Sequence, residues 1–385
     1  TSTWARGFEP PTFWSVARRS IQLSYAHITI NLFTTIIIIT QIYRNVNTFL
    51  SILRISTLFL FALSIGLVNL LLSGLFNTST LMLSYACTKY KIKLEETNHM
   101  TKKVAVINDL SGFGRCSLTA AISILSVMGV QACPLPTAIL TAQTGYPSYY
   151  CDDYTDKMEY FRAEWEKMNQ HFDGIYTGFV ADETQITHIF RFIDTFKSPD
   201  TFLLVDPVMG DDGEPYPIYT PSLFRQMRKL VLQADIVTPN LTELCLLADA
   251  DYQALTSLRS PDERIQAIGE LGQAFCQEGP DHVIVTGILF QDTDGTAKMG
   301  NLLVNPEGCS LFAFPYIGGS YSGTGDLFAS CIAAGIARGY SIPSIIRAAG
   351  DFLECSLIDT VKEQIPRNDG VNYEQYLSLL LKIDK

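Results

Sequence analysis

Short apolar runs alternate with longer amphipathic stretches from residue 100 onward, and this alternation limits the possible folds more than any other feature of the chain. The apolar runs lie at 104–107, 174–179, 201–205, 235–238 and 282–286; the stretches with helical periodicity lie at 117–128, 183–196, 241–247 and 261–277. Continuous β-branched runs between helices are typical of strands buried on both faces of a parallel sheet. The pattern predicts an α/β fold, a three-layer sandwich with a central, mostly parallel sheet.

Residues 1–99 differ in composition from the rest. They carry 8 basic and 3 acidic side chains, whereas residues 100–385 carry 20 and 36. No charged residue lies within 55–88, and the run at 57–76 has about the 20 apolar residues that span a bilayer. Met100 directly precedes the first predicted strand, and residues 7–20 look like peptides translated from DNA around tRNA genes. We therefore interpret 1–99 as an upstream read-through that the native protein lacks, with a membrane anchor as the alternative, and 100–385 as one α/β domain.

Charge and cysteine content exclude several classes of function. The net charge of the whole chain is -11, and the acidic body argues against general binding to nucleic-acid phosphates, which needs a basic surface. The nine cysteines form no C-x-x-C pair and show no zinc-ligand spacing with histidine. This usage predicts a reducing, cytoplasmic compartment and small buried thiols rather than disulfides or a zinc site.

A small-residue turn opens an apolar helix late in the chain, in the segment GGSYSGTGD at 318–326. The backbone amides of Gly323, Thr324 and Gly325 would lie at the helix N-terminus, where the helix dipole favours a developing anion. Asp326 would lie in the first turn, where its carboxylate can accept a proton from a hydroxyl beside those amides. Taken alone, the same residues are also ordinary chemistry for a helix start.

Acidic and amide side chains follow two further predicted strands. Asp206 ends one strand and begins the Gly/Asp-rich segment DPVMGDDG at 206–213, which suits a hydrated magnesium ion that bridges phosphates. In TPNLTE at 238–243, Asn240 and Glu243 have the spacing of a helix capping box. The same spacing turns both groups toward the crevice at the strand ends, where they could hold a metal-bound water or a phosphate oxygen.

Other catalytic schemes do not fit. The segment NDLSGFGRCS at 108–117 resembles a dinucleotide fingerprint, but Ser117 occupies the place of its third glycine, and no acidic strand end follows about 20 residues later. The sequence contains no G-x-x-x-x-G-K-[ST] loop and no H-R-D or D-F-G set. His171, His188 and His282 form no triad with a nucleophile.

Four segments, taken in order, resemble the ribokinase superfamily and within it the pyridoxal (vitamin B6) kinases. They are NDLSGFG at 108–114, DPVMGD at 206–211, TPNLTE at 238–243 and GTGD at 323–326. Residues 137–146 and the pair at 178–179 also look like substrate-side segments of these kinases, and the likeness extends over 102–385. The resemblance implies a ribokinase-like fold that transfers phosphate from ATP to the 5′-hydroxymethyl group of pyridoxal, pyridoxine or pyridoxamine.

The resemblance also implies a role for each matching residue. These roles are a base (Asp326), an anion-holding turn (Gly323, Thr324, Gly325), magnesium ligands (Asp206, Glu243), contacts to ATP phosphates (Asn240, Thr286, Gly287), a position near the phosphoryl path (Asp211) and contacts to the substrate ring (Asp109, Thr144, Phe179). Members of the family are commonly homodimers and are often stimulated by potassium. The implied cofactors are therefore ATP, Mg²⁺ and K⁺.

Departures from the family pattern leave the substrate open. Vitamin B6 kinases often have Ser in place of Asp109 and Tyr in place of Phe179, and the D-x-S-G-x-G pattern of 109–114 is closer to the hydroxymethylpyrimidine kinases of thiamine synthesis. The dual-specificity members of that branch carry Cys in place of Asp326. The alternatives are thus a hydroxymethylpyrimidine kinase, a ligand-binding protein without turnover, and a membrane-tethered protein in which the kinase body is secondary.

Overall fold

The computed structural model describes residues 101–381 and Ile383, which belong to a compact unit that spans Asn98–Lys385. Residues 1–99, which were interpreted as a read-through or a membrane anchor, lie outside the described residues. Within 101–381, no helix combines the length and the apolar character that a bilayer crossing requires.

A nine-stranded sheet runs through the centre of the described unit. Its strands are β1 (Lys103–Ser111), β2 (Gln131–Leu140), β3 (Cys151–Asp153), β4 (Gly174–Thr177), β5 (Phe202–Val205), β8 (Ile236–Val237), β9 (His282–Gln291), β10 (Ala297–Asn305) and β11 (Gly308–Pro315). Their order across the sheet is β11-β10-β9-β8-β5-β4-β1-β2-β3. The six strands from β9 to β2 pair in parallel, and β3, β10 and β11 are antiparallel to their neighbours. A separate hairpin joins β6 (Gly210–Asp211) and β7 (Glu214–Pro215).

Helices cover both faces of this sheet. They are α1 (Ser117–Val127), α2 (Thr155–Lys167), α3 (Glu183–Phe196), α4 (Pro221–Val231), α5 (Leu241–Ala248), α6 (Tyr252–Thr256), α7 (Pro261–Cys276), α8 (Thr324–Ala337) and α9 (Ile342–Lys362), followed by 3-10 turns at Arg367–Asp369 and Glu374–Leu381. Val104 and Val106 of β1 pack in one core with α1, α8 and α9. Ala105 and Ile107 point to the other face and pack with α3, α4 and α7. The predicted three-layer α/β sandwich is confirmed.

The sequence missed the antiparallel edge of the sheet. Strand β9 continues to Gln291, well past the predicted end at 286, and β2, β3, β10 and β11 have no counterpart among the predicted strands. Beyond Val285 the side chains of β9 alternate between buried and exposed, because this part of the sheet is not covered on both faces. A half-covered strand lacks the continuous apolar run that identifies a fully buried one.

The register of the parallel strands aligns their carboxyl ends. One row across the sheet pairs Ile107 with Thr177, Thr177 with Val205, and Val205 with Val237. The next residue along the chain after each member of this row therefore lies at the same level of the sheet; Gly178, Asp206 and Thr238 follow the ends of β4, β5 and β8, and Asn108 lies within β1, which continues to Ser111. Ligands of open α/β sheets bind in the crevice outside the carboxyl ends of the strands.

Candidate active site

The turn before α8 has a backbone that requires glycine. Gly323 is the N-cap of α8 and has a φ of 81°, in the left-handed region. A Cβ on this residue would lie 1.9 Å from the carbonyl oxygen of Arg115, in the loop before α1. Thr324 closes the turn, because its hydroxyl donates to the carbonyl of Tyr321 over 2.8 Å. Around Gly325 a Cβ would meet no atom within 4 Å, so open space lies beside the first turn.

Asp326 lies in that first turn of α8 and points toward the ends of the strands. Its carboxylate accepts a hydrogen bond of 3.2 Å from Nδ2 of Asn108, which follows Ile107 in β1. Burial is the main cause that raises the pKa of Asp326 to about 6, and the charge of Asp109 raises it further. The Ser117 amide and Asn108 act in the opposite direction. The result is a carboxylate that is ionised at neutral pH and more basic than an exposed aspartate.

Asp206 and Glu243 are two further buried carboxylates. Asp206 accepts a hydrogen bond from the Thr238 hydroxyl over 3.1 Å. Burial raises its pKa well above the usual range, and the negative charge of Asp326 raises it again. Burial and the charge of Asp206 likewise raise the pKa of Glu243. Asp206 is thus opposed by the charge of Asp326 and itself opposes that of Glu243, and a cation beside Asp206 would relieve this repulsion.

The predicted capping box at the start of α5 is confirmed. Oδ1 of Asn240 accepts from the amide of Glu243 over 2.9 Å, and Glu243 returns a carboxylate oxygen to the amide of Asn240 over 2.8 Å. Nδ2 of Asn240 donates to the carbonyl of Gly210, and the other oxygen of Glu243 accepts from the amide of Met209. Both side chains thus hold the loop between β5 and β6 against α5.

The chemistry of the donor set fits a hydrated magnesium ion. Asp206 has one carboxylate oxygen with no protein donor described for it, whereas both oxygens of Glu243 already accept backbone amides. Magnesium binds through one or two carboxylates and keeps several waters. Asp206 is therefore the candidate direct ligand, and Glu243 can act through a water. Among the described residues, no group of three or more His, Cys, Asp or Glu side chains is arranged to hold a metal ion.

The residues predicted to face ATP lie in the loop after β8 and in the middle of the neighbouring strand β9. Asn240 and Thr286 form an isolated parallel bridge, so the loop after β8 lies beside β9. Gly287 has a φ of 72°, is exposed, and would place a Cβ in open space. Its amide points at the side-chain oxygen of Asn301 on β10 over 3.4 Å. This arrangement leaves an uncrowded backbone where phosphates could approach.

An apolar cavity that the sequence did not predict lies beside Thr324. Its volume is about 470 Å³ when the adjoining space open to solvent is included, and Asn301 forms part of its wall. The other lining residues come from β10, β11, the following loop and α9; they include Met299, Phe314, Tyr316, Leu353 and Leu357. The β9–β11 edge that periodicity missed supplies much of this wall, so the cavity could not be found from the sequence.

Asp211 lies apart from the buried carboxylates. It is in the β6–β7 hairpin, whose two-residue turn has left-handed backbone at Asp212 and Gly213 (φ of 51° and 86°). The guanidinium of Arg367 lies 3.9 Å from the Asp211 carboxylate. Burial and Asp212 raise the pKa of Asp211, and Arg367 lowers it. Asp211 and Arg367 thus form a charged rim at the edge of the crevice.

Buried polar groups of β1 and of the segments beside it line the part of the crevice predicted to hold the substrate. Asp109 is buried, and its carboxylate accepts the Ser111 hydroxyl over 2.8 Å. Burial raises the pKa of Asp109. The backbone of Phe179 is held by two side chains: Asn108 accepts its amide over 2.9 Å and Thr137 donates to its carbonyl over 3.1 Å. Asp109 and Phe179 therefore lie near Asp326, with Asn108 between them.

Thr144 is exposed, but its neighbour Gln143 is buried. Nε2 of Gln143 donates to the Ser322 hydroxyl over 3.3 Å and to the carbonyl of Asn368 over 3.2 Å. Asn368 in turn donates to the carbonyl of Gly145 over 2.6 Å. The loop that carries Thr144 is thus joined to the turn before α8 through the C-terminal segment. Gln143 and Asn368 were absent from the predicted site, and the TAQTGY stretch was the signal in which Gln143 could have been noticed.

Comparisons with known proteins show which family this chain resembles. Residues 114–369 match the family described as phosphomethylpyrimidine kinase. A Bacteroides thetaiotaomicron protein assigned to the phosphomethylpyrimidine kinases is 36% identical; the alignment covers 75% of this chain and 96% of that one, with a TM-score of 0.68. An orthorhombic crystal form of that protein contains pyridoxal, with 36% identity, 74% and 98% coverage and the same TM-score of 0.68.

Two pyridoxal kinase matches extend the comparison. The pyridoxal kinase of Lactobacillus plantarum is 28% identical, with a TM-score of 0.64 over 73% of this chain and 97% of that one. A Schizosaccharomyces pombe protein assigned to the pyridoxal kinases is 27% identical over 42% of this chain, and the match spans 46% of that protein. The structural alignments cover nearly the whole length of the Bacteroides and Lactobacillus proteins. The alignment with the Schizosaccharomyces pombe protein covers less than half of that protein.

Proposed function

This chain belongs to the phosphomethylpyrimidine kinase family, and from that premise we propose that it phosphorylates the 5′-hydroxymethyl group of pyridoxal, pyridoxine or pyridoxamine with ATP. The observation that carries the proposal is the position of Asp326. Its carboxylate lies at the N-terminus of α8 and is joined by Asn108 to the substrate side of the crevice. A kinase for a small alcohol needs a base and an anion-holding helix start in this arrangement.

Asp326 is the proposed base. With a pKa of about 6 it is ionised at neutral pH and accepts a proton more readily than an exposed aspartate. The backbone at Gly323, Thr324 and Gly325 presents the first amides of α8, which have no acceptor within the helix, to the transferred phosphoryl group. The glycine-only turn at Gly323 holds these amides in place, so little reorganisation is needed during transfer.

Asp206 and Glu243 are the proposed magnesium residues, the first directly and the second through water. When bound, Mg²⁺ would neutralise charge on the phosphates of ATP. The raised pKa values of both carboxylates support this role, because two buried and repelling acids favour a cation beside them. Potassium is proposed only from the family resemblance.

In this proposal ATP would lie across the end of β8 and the middle of β9. Thr286 and Gly287 would meet its phosphates, and Asp211 would lie near the phosphoryl path. Asn240 would act mainly by fixing the loop after β5, since both ends of its amide already have partners. The largely apolar lining of the cavity beside Thr324 suits the flat face of an adenine base.

The vitamer would lie between Asp109, Phe179 and the loop of Thr144. The buried Asp109 carboxylate can accept a hydrogen bond from a polar substituent of the ring. The thiamine alternative, hydroxymethylpyrimidine, is less favoured, because the 36% identical Bacteroides protein was crystallised with pyridoxal and the Lactobacillus relative is a pyridoxal kinase.

We also propose that the protein is a homodimer and that it resides in the cytoplasm. The eight free cysteines among the described residues are compatible with a reducing compartment.

A coupled ADP-release assay tests the proposal. The full chain is assayed with ATP and Mg²⁺ against each of the three vitamers and against hydroxymethylpyrimidine. We expect turnover with at least one vitamer at a higher kcat/KM than with hydroxymethylpyrimidine. A preference for hydroxymethylpyrimidine would assign the thiamine reaction instead, and a folded chain that binds vitamers without turnover would be a binding protein.

A further inference from the structure

Asn108 is a buried amide whose two ends have different partners. It has no exposed surface in the folded unit. Its Oδ1 accepts the backbone amides of Asp109 and Phe179, each over 2.9 Å. Its Nδ2 donates to the carboxylate of Asp326 over 3.2 Å. One side chain thus connects β1, the loop after β4 and the first turn of α8.

The orientation of this amide is fixed by its partners. Two backbone N–H groups can be satisfied only by an oxygen, so the NH₂ end must face Asp326. A flipped amide would place two donors against two donors and leave all of them buried without acceptors, at a cost of roughly 1–3 kcal/mol for each unsatisfied group. The donor to Asp326 is therefore imposed by β1 and the loop after β4, and the carboxylate is held from outside its own helix.

Close packing keeps Asn108 in this position. A Cβ on Gly178 would lie 2.4 Å from Nδ2 of Asn108, so the loop after β4 can pass over the amide only because that residue is glycine. Gly178 also donates its amide to the carbonyl of Ile107 over 2.9 Å. The side chain is consequently confined on the side of β4.

We propose that Asn108 is a positioning residue that orients the Asp326 carboxylate toward the substrate hydroxyl, and that it does so by tying Asp326 to the two loops that hold the substrate ring. This inference rests on the proposed function. The Ser117 amide also acts on this carboxylate, and Asn108 adds a side-chain donor whose direction is fixed. Such a donor keeps the carboxylate in one orientation, as proton transfer in a near-attack geometry requires. Without the donor, Asp326 would retain its charge but lose its alignment.

Asn108→Asp is the variant that separates the two roles of the side chain. Aspartate keeps an oxygen for the amides of Asp109 and Phe179 but cannot donate to Asp326 when ionised. Thr137→Val is the matched control, because Thr137 is equally buried and holds the carbonyl of Phe179 without touching Asp326. A purely structural effect on the Phe179 loop would make both variants alike.

The experiment measures kcat and the KM values for pyridoxal and ATP in the full chain, across pH 6–9, with thermal unfolding of each variant. The plateau at high pH is compared, so that a shift in the ionisation of Asp326 is separated from a loss of alignment. We expect Asn108→Asp to lower plateau kcat by about 10- to 100-fold with unchanged KM values. Thr137→Val should raise the KM for pyridoxal and leave kcat unchanged.

A double-mutant cycle completes the test. If Asn108 acts through Asp326, Asn108→Asp should cause no further loss of kcat in the Asp326→Asn background. An equal loss of kcat in both backgrounds, or an effect on KM alone, would overturn the inference. If Asn108→Asp does not fold, Asn108→Ser, which also lacks the amide donor, replaces it in the double-mutant cycle. Absence of vitamer phosphorylation by the unmodified chain would instead refute the proposed function.

Discussion

A Cβ on Gly323 would lie 1.9 Å from the carbonyl oxygen of Arg115, although the two residues are far apart in the sequence. The start of α8 therefore touches the loop before α1 directly, backbone against backbone. Because a backbone carbonyl cannot rotate away as a side chain can, the contact fixes both loops at once. The helix start that would hold the phosphoryl group is thus built by two distant segments.

Gly323→Ala should abolish turnover and destabilise the fold. The left-handed backbone alone costs an L residue about 1–2 kcal/mol, and the clash with Arg115 adds to this. Turnover and thermal unfolding check this expectation. Gly308→Ala is the control, because a Cβ there meets no atom within 4 Å and no left-handed φ is required. Unchanged activity of a folded Gly323→Ala protein would contradict the described turn.

Asp326→Asn should lower kcat by about 10²- to 10⁴-fold, since it removes the proposed base and keeps its shape. Nucleotide binding should persist, because the helix amides do not depend on the carboxylate. Steady-state kinetics and calorimetric titration with ATP measure the two effects. Asp200→Asn, at an exposed turn, serves as the control. Normal turnover in a folded Asp326→Asn variant would remove this residue from the mechanism.

Turnover should decrease as the pH falls through about 6. Burial raises the folded-state pKa of Asp326 from 3.8 to about 6, so protonation below that pH removes the acceptor form of the carboxylate. The same shift means that the folded state binds this proton more tightly than the unfolded state, so this group's contribution to stability rises as the pH falls from 6 toward 4. A kcat profile from pH 4.5 to 8 tests the first effect. A flat profile would show that Asp326 is not the titrating base.

Removal of divalent metal should abolish activity, and Mg²⁺ should restore it. Asp206 and Glu243 offer hard oxygen donors, which favour magnesium over a soft metal. Asp206→Asn should raise the Mg²⁺ concentration needed for half-maximal turnover, because one buried negative charge is lost. The assay is a magnesium titration after EDTA treatment, with Asp211→Asn at the charged rim for comparison. Full activity in metal-free buffer would refute the assignment.

A fragment of residues 100–385 should fold and retain the kcat of the full chain. All the candidate site residues lie in the compact unit Asn98–Lys385, and β1 is paired on both sides by β2 and β4. The first strand therefore needs no partner from residues 1–99. Circular dichroism and the vitamer assay compare the two proteins. A fragment that is unfolded or inactive would show that the preceding residues contribute to the domain.

Much of the fold and several site residues follow from local sequence. Helix α3 begins and ends where periodicity predicts, and the capping box of Asn240 and Glu243 is formed as its spacing indicates. Asp206 follows its buried strand directly, and Asp326 lies in the first helical turn. Such features depend on residues within a few positions of one another. They can therefore be read without knowing how the strands are arranged.

The partners of these residues depend on the tertiary structure. The hydrogen bond from Asn108 to Asp326 joins residues 218 positions apart, and Gln143 meets Asn368 across a similar distance. Such contacts exist only because β1 lies between β2 and β4 and α8 packs over it, an order that local periodicity does not contain. By itself, the sequence determined the layered α/β architecture, the buried central strands and the helix caps, since these result from side-chain periodicity and short-range hydrogen bonding. Only the tertiary structure decided which strand ends meet, how burial raises the carboxylate pKa values, and where the apolar cavity opens, since each requires surfaces from distant segments.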